Sequence, residues 1–428
     1  MATSTPTVAP AADKTGQELF TERTKRIQDA LQLKQPDTVP IALFLGYMLA
    51  DMGGITRQEQ HENAEKENQL LEEAARRFQA DSVTGLLNNP AAPLAVGDRM
   101  TRFPGHGLPP TGSLQFVEGE YMKPEDYDAF IDDPADWSIR KYWPRVFPEL
   151  EGLALLPPLG MAAFGTYSLF DLGVMKAPPV AAAFRAFANA IEAGAATDAR
   201  LFGTVQLLAA QGVAWPPFAG CPIIEAPFDF MSDTLRGMRG IMLDIHRRPD
   251  KLLAAEEKVL KFQLEFAINW CRAVGIPRAF IPLHRGSDGF MSFAQFEKFY
   301  WPQLKALQLG LIEAGIMPLV FYEGVWDQRL KYLAELPRAK TAGWFQFSDI
   351  YKVKEVLGET MCILGGMRNS LLQAGTAEQV RAETKKLCEV VGKNGGFIMS
   401  TGIGEMEGCK PDLVKVWVDA TREYGRYQ

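Results

Sequence analysis

The chain has 428 residues, long for one ordinary domain but normal for a (β/α)8 barrel carrying insertions. Hydrophobic residues make up 47% and charged residues 23%, which supplies a full core and excludes an intrinsically disordered chain. The net charge is −7 and no Lys/Arg-rich run stands out, so nucleic acid is not an expected partner.

Taken in chain order, Met1 to about Lys14 is rich in Ala, Pro and Thr and reads as a disordered tail, bounded at residue 18 ahead of a single domain over 19–428. It lacks the basic and apolar regions of a secretory signal. The five cysteines, 221, 271, 362, 388 and 409, form no CxxC pair, so a reducing, cytoplasmic setting is expected. Asn88 to about Pro148 is dense in Gly, Pro and Asp and reads as an insertion or lid. Two stretches carry no charge, Gly152 to Phe170 and Leu201 to Ile224. Pro157-Pro158 and Pro216-Pro217 break them, so they read as buried strands with loops and no membrane span is expected.

The C-terminal half is the most legible. Asp250 to Ala273 places Leu253, Leu260, Leu264, Ala267 and Cys271 near one helical face. A strand follows at Ala279–Leu283, then a helix opened by a Ser292/Gln295 capping box, bent near Pro302 and ending at Gly315. Next come a strand at Pro318–Tyr322, a helix from about Asp327 to Leu336 and a strand at Thr341–Phe347. Asp349 caps a helix at Ile350–Leu357, and Met361–Leu364 is a strand. A Thr376/Gln379 capping box opens a helix running to Val391, and a strand at Phe397–Ser400 precedes a last helix at Pro411–Tyr424. Five strand–helix cycles imply a parallel sheet and favour a closed (β/α)8 TIM barrel. No GxGxxG follows an early strand, against a dinucleotide fold.

In a barrel the chemistry sits where strands end. Glu323 closes the apolar run PLVFY and reads as a general acid or base, a metal ligand, or the partner of a neighbouring arginine. His284 ends AFIPL; it reads as a catalytic group or as a loop-fixing hydrogen bonder. Arg285 and Arg368 suit an anionic substrate group. Asp288 is either catalytic or a turn residue before Gly289. Glu225 and Asp229 follow a long uncharged run and are expected at the mouth. Cys409 lies at a helix start, which lowers a thiol pKa. Tyr322 and Trp326 read as core or as pocket lining.

Several segments resemble the uroporphyrinogen decarboxylase superfamily. These are Arg26–Gly46, PFAGCPIIEAPFDF at Pro217–Phe230 with DTLRGMRGIMLD after it, Met291–Pro302 and Gly365–Val380, together spanning about residues 20 to 425. The resemblance implies a (β/α)8 barrel, often a homodimer, and one of two chemistries. Porphyrinogen decarboxylases hold a polycarboxylate with an early arginine motif, an aspartate, a tyrosine and a histidine. The segment after Pro40 lacks that motif, and the three residues fall near Asn88, Phe228 and Ile403. Zinc- and corrinoid-linked methyltransferases use a His-x-Cys-Gly motif and a distant cysteine. Those positions fall on Phe321, Glu323 and near Ile403.

The resemblance therefore implies a corrinoid-dependent methyltransferase-like enzyme, moving a methyl group between a small organic substrate and a separate corrinoid protein. Glu323, His284, Glu225 and Asp288 are the expected catalytic groups. Arg285, Arg368, Asp229, Phe228, Tyr322, Trp326 and Asn88 are the expected substrate-binding ones. Zinc, if held, would take Glu323, Cys409 and His284. Two alternatives stand beside this reading: a metal-independent decarboxylase or lyase acting on a small aromatic or carboxylic acid, and a non-catalytic small-molecule-binding barrel.

Overall fold

A computed structural model describes residues 14–164, 173–402 and 405–427. The tail up to position 13 and Ile403 lie outside them. The first helix, Gly16–Leu31, opens inside the stretch read as a tail, because Thr15 and Glu18 form a reciprocal capping box at its start.

Ten strands are described: β1 Ala42–Phe44, β2 Ser82–Thr84, β3 Thr101–Pro104, β4 Gly107–Leu108, β5 Gln115–Phe116, β6 Arg278–Leu283, β7 Met317–Tyr322, β8 Ala342–Phe345, β9 Cys362–Met367 and β10 Phe397–Thr401. The last five form one parallel sheet in the order β10-β9-β8-β7-β6, each strand joined to the next through a helical crossover. The strands β1 and β2 form a parallel pair. A bridge between Ile41 and Met399 joins that pair to β10, and one between Ile223 and Phe280 joins the irregular segment 213–224 to β6. At its other end this segment reaches the start of β2, where Ala214 N–H donates to Asp81 O at 2.8 Å.

Alternation along the strands splits the core in two. Leu319, Trp344, Leu364 and Ile398 gather on one sheet face with the rings of Phe44, Phe218, Phe280 and Phe321. Phe218 stacks on Trp344 with an interplanar angle of 8°, and Trp344 Nε1–H donates to Thr401 O at 2.7 Å. The larger cluster lies between the opposite face and the helices.

Among the described residues neither uncharged stretch forms a regular strand. Pro148–Leu155 and Leu159–Phe164 are 3-10 turns, and residues 165–170 fall outside the described ones. The proline pair between those turns supplies no N–H for a ladder. Leu201 to Ala210 completes a 33-residue helix, Pro178–Ala210, because Ala and Leu favour helix and the chain turns only at Gly212, with φ 86°. The segment from 88 to 148 holds short helices and the small sheet β4-β3-β5. The helix expected from Asp327 shrinks to Leu330–Leu333, since Asp327 instead accepts Asp349 N–H at 3.0 Å. No helix among the described residues is long and apolar enough to cross a membrane.

Candidate active site

His284 follows directly on β6, in the same alternation as Phe280 and Pro282. Its backbone is fixed from below by Asp229. The N–H groups of His284 and Arg285 donate to Asp229 Oδ2 and Oδ1, each at 2.9 Å, and the Tyr300 hydroxyl donates to Oδ2 at 2.6 Å. Asp229 is fully buried. Burial raises its pKa to about 6, opposed by the charge of His284, so the carboxyl remains an acceptor at neutral pH.

The His284 imidazole lies between two carboxylates. Nδ1 is 2.5 Å from Asp233 Oδ2 and Nε2 is 3.4 Å from Glu323 Oε1. Burial alone would lower the imidazole pKa; the hydrogen bonds to Asp233 and Glu323 more than offset it and raise it to about 11. Asp233 projects from a π-helical turn, Phe230–Arg236, a geometry that often re-aims a side chain at a functional site. Its other oxygen takes Arg285 Nη2 at 2.7 Å. Arg285 also contacts Glu118 and donates from Nε to the Ser232 hydroxyl at 3.1 Å. Its charge is therefore already spent on carboxylates of the chain itself.

Glu225 completes the group. The Gln263 amide grips its main chain from both sides, accepting Glu225 N–H at 2.7 Å and donating to Glu225 O at 2.9 Å. Its Oε2 is sealed from solvent and has no hydrogen-bond partner. Burial, with the nearby charge of Asp233, pushes its pKa up to about 7 against the opposing pull of His284. Donor atoms of Glu225, Asp233 and His284 all lie within 4.8 Å of one another. The site is thus acidic, partly open and held by buried groups that do not face it.

Residues 216–424 match the family described as uroporphyrinogen decarboxylase (URO-D). The match spans just under half of the chain. A similar curated protein is the uroporphyrinogen decarboxylase of Neisseria meningitidis serogroup C / serotype 2a, 23% identical over 216 residues. That match covers 49% of this chain and 58% of the relative, so less than two thirds of the relative's length is spanned. In structure the chain is similar to a methyltransferase from Methanosarcina mazei, with a TM-score of 0.59, 15% identity and coverage of 94% of this chain and 98% of that one. At that identity the likeness shows the shared fold.

Within the superfamily frame, the expected donors of a thiolate zinc site do not fit. Phe321 offers no ligand atom and packs on Trp344 at 4.9 Å. Cys409 stays apart from the cluster. It is buried, with Sγ 3.9 Å from Asn369 O, and burial with the charge of Asp51 pushes its thiol up to about 12. The lowering expected from a helix start is outweighed by that burial. Among the described residues the group able to hold an ion is Glu225, Asp233 and His284, so the structure joins His284 with Glu323 as expected but not with Cys409.

The other candidates separate into several kinds. Asp288 holds its turn: it accepts Gln328 N–H at 3.0 Å and lies 3.5 Å from Arg329 Nε. Tyr322 stacks on Phe345 at 4.7 Å, and Trp326 meets Tyr322 edge-on at 5.0 Å; both are fully buried in the outer core. Phe228 is buried against Tyr300. Asn88 and Arg368 are exposed, and Arg368 precedes the helix Asn369–Ala374. Sequence reasoning passed over Asp233, although it follows Asp229 by one helical turn. It also passed over Gln263, Tyr300 and Arg329, whose side chains act across long sequence separations.

Proposed function

We propose that this chain is a methyltransferase-like enzyme. It moves a methyl group from a small neutral or cationic organic donor to a corrinoid carried on a separate protein. We take the scaffold as an eight-staved barrel in which the irregular segment 213–224 is the third stave, with the reaction at the strand ends that carry Glu225, His284 and Glu323.

The observation that carries this reading is the charge of the mouth. Glu225, Asp233 and Glu323 converge on His284, and Arg285 is engaged by Glu118 and Asp233. A polycarboxylate porphyrinogen needs clustered free arginines and would be repelled here. A neutral ether or an ammonium donor would not. The corrinoid, when carried on its partner, would supply a reduced cobalt as the methyl acceptor. The donor's carbon–heteroatom bond breaks with its pair leaving on the heteroatom, which takes up a proton when the donor is an ether. Glu323, the more open carboxyl beside His284, is placed to exchange that proton.

The test supplies purified protein with cob(I)alamin and a panel of methyl ethers and methylated amines, following methylcobalamin by absorbance. Formation that falls at least about tenfold in Glu323→Gln supports the reading. Carbon dioxide release from small carboxylic acids, with no cobalamin methylated by any donor, would replace it with a lyase.

A further inference from the structure

We infer that Glu225, Asp233 and His284 form a binding site for one divalent first-row cation, built on oxygen and nitrogen donors. Glu323 borders it on the open side. The inference stands apart from methyl transfer, since it concerns what the cluster binds and holds for either chemistry.

Three observations converge. Donor atoms of two carboxylates and an imidazole lie within 4.8 Å of one another, the donor types that suit zinc, iron or manganese. Tetrahedral ligands at about 2.1 Å from a metal stand roughly 3.4 Å apart, so closure onto an ion needs side-chain shifts of about an ångström. Second, Glu225 Oε2 is hidden from solvent and unpartnered, an acceptor with nothing to accept from. A cation supplies the missing partner. Third, each ligand is held by groups outside the cluster. Gln263 grips the main chain of Glu225, Asp229 binds the N–H groups of His284 and Arg285, and a π-helical turn presents Asp233. Such outer support is what a metal site requires.

The charge balance agrees. Glu225, Asp229, Asp233 and Glu323 surround His284, and Arg285 answers only one edge through Asp233 and Glu118. The histidine and cysteine positions of the superfamily's zinc motif, by contrast, hold Phe321 and Glu323. The ion would thus sit one strand away, between the 213–224 segment and the end of β6.

The full-length chain, stripped with chelator and dialysed, is titrated calorimetrically with Zn2+ and with Co2+. One ion per chain is expected. Glu225→Gln and His284→Gln should each weaken binding at least tenfold, while Cys409→Ser binds as wild type. The Co2+ complex should show visible ligand-field bands without a thiolate charge-transfer band. Asp233→Asn replaces either variant that fails to fold, judged by circular dichroism. Absence of binding in wild type, unchanged affinity in the cluster variants, loss in Cys409→Ser or a thiolate band would each overturn the inference. Because metal is read directly, a failed methyl-transfer assay leaves this result unaffected.

Discussion

Asp229 shows how much one buried carboxylate can organise. It spends its oxygens on two main-chain N–H groups and a tyrosine hydroxyl, and so fixes the direction in which His284 leaves β6. Asp229→Asn turns an amide N–H toward one of those donors. The expected cost is about 2 kcal/mol, measured by urea unfolding, with cation affinity reduced in the variant that still folds. His61 supplies a separate pH signal, remote in sequence from that cluster. It is buried, and the Tyr47 hydroxyl, which accepts Leu114 N–H at 3.1 Å, donates to its Nε2 at 2.8 Å. Burial lowers its pKa from 6.5 to about 4, with Arg200 and His106 adding and Glu62 opposing. Between those values the unfolded chain binds the extra proton, so this contribution is complete above pH 6.5 and is lost as pH falls toward 4. It amounts to about 3 kcal/mol. Denaturant midpoints from pH 7 to 4.5 should fall less steeply in His61→Gln. Of the site itself, His284 and Glu323 were legible, because each follows an apolar strand on the inward alternation. Asp233 and Glu118 were not, since nothing local announces a pairing across 51 or 167 residues.

The loops between elements carry constraints that periodicity does not express. A Cβ on Gly286 would fall 2.2 Å from the Trp326 ring and 2.5 Å from that of Tyr300. Gly286→Ala is therefore expected to cost about 3 kcal/mol in thermal or denaturant unfolding. Gly289→Ala in the same loop has open space around it and should change stability by less than about 0.5 kcal/mol. Gly365 and Gly366, with φ of 119° and 99°, give β9 a backbone conformation that side-chain-bearing residues rarely adopt. Element type was readable where caps and periodicity agreed, as with the Ser292/Gln295 and Thr376/Gln379 boxes, both of which form. It was misread at 201–210, where lack of charge suggested a strand while Ala and Leu continued a helix.

Across the whole molecule, the first and last helices are tied to the sheet through one aspartate. Asp81, fully buried before β2, takes Arg26 from the first helix, Arg422 from the last at 2.9 Å and Ile41 N–H at 2.8 Å. Asp81→Asn removes the buried carboxylate shared by Arg26 and Arg422, while Arg26 keeps Asp37 at 2.6 Å and Glu22 at 2.8 Å, and should cost about 2–3 kcal/mol, with loss of two-state unfolding as the readout of detached terminal helices. The parallel sheet of the C-terminal half could be anticipated because each strand–helix unit is complete over a short span. The N-terminal half could not, because β1 and β2 are three residues each and long inserted segments separate them from the rest.

The stacked rings of Phe218 and Trp344, joined by Phe44, fill the inward face of the sheet and leave a void of about 10 Å3, room for one water at most. On the proposed function that ring layer closes the way through the sheet beneath His284 and Glu323, so reactant and product would share the open side of the cluster, and added product should inhibit competitively with substrate in the cobalamin assay.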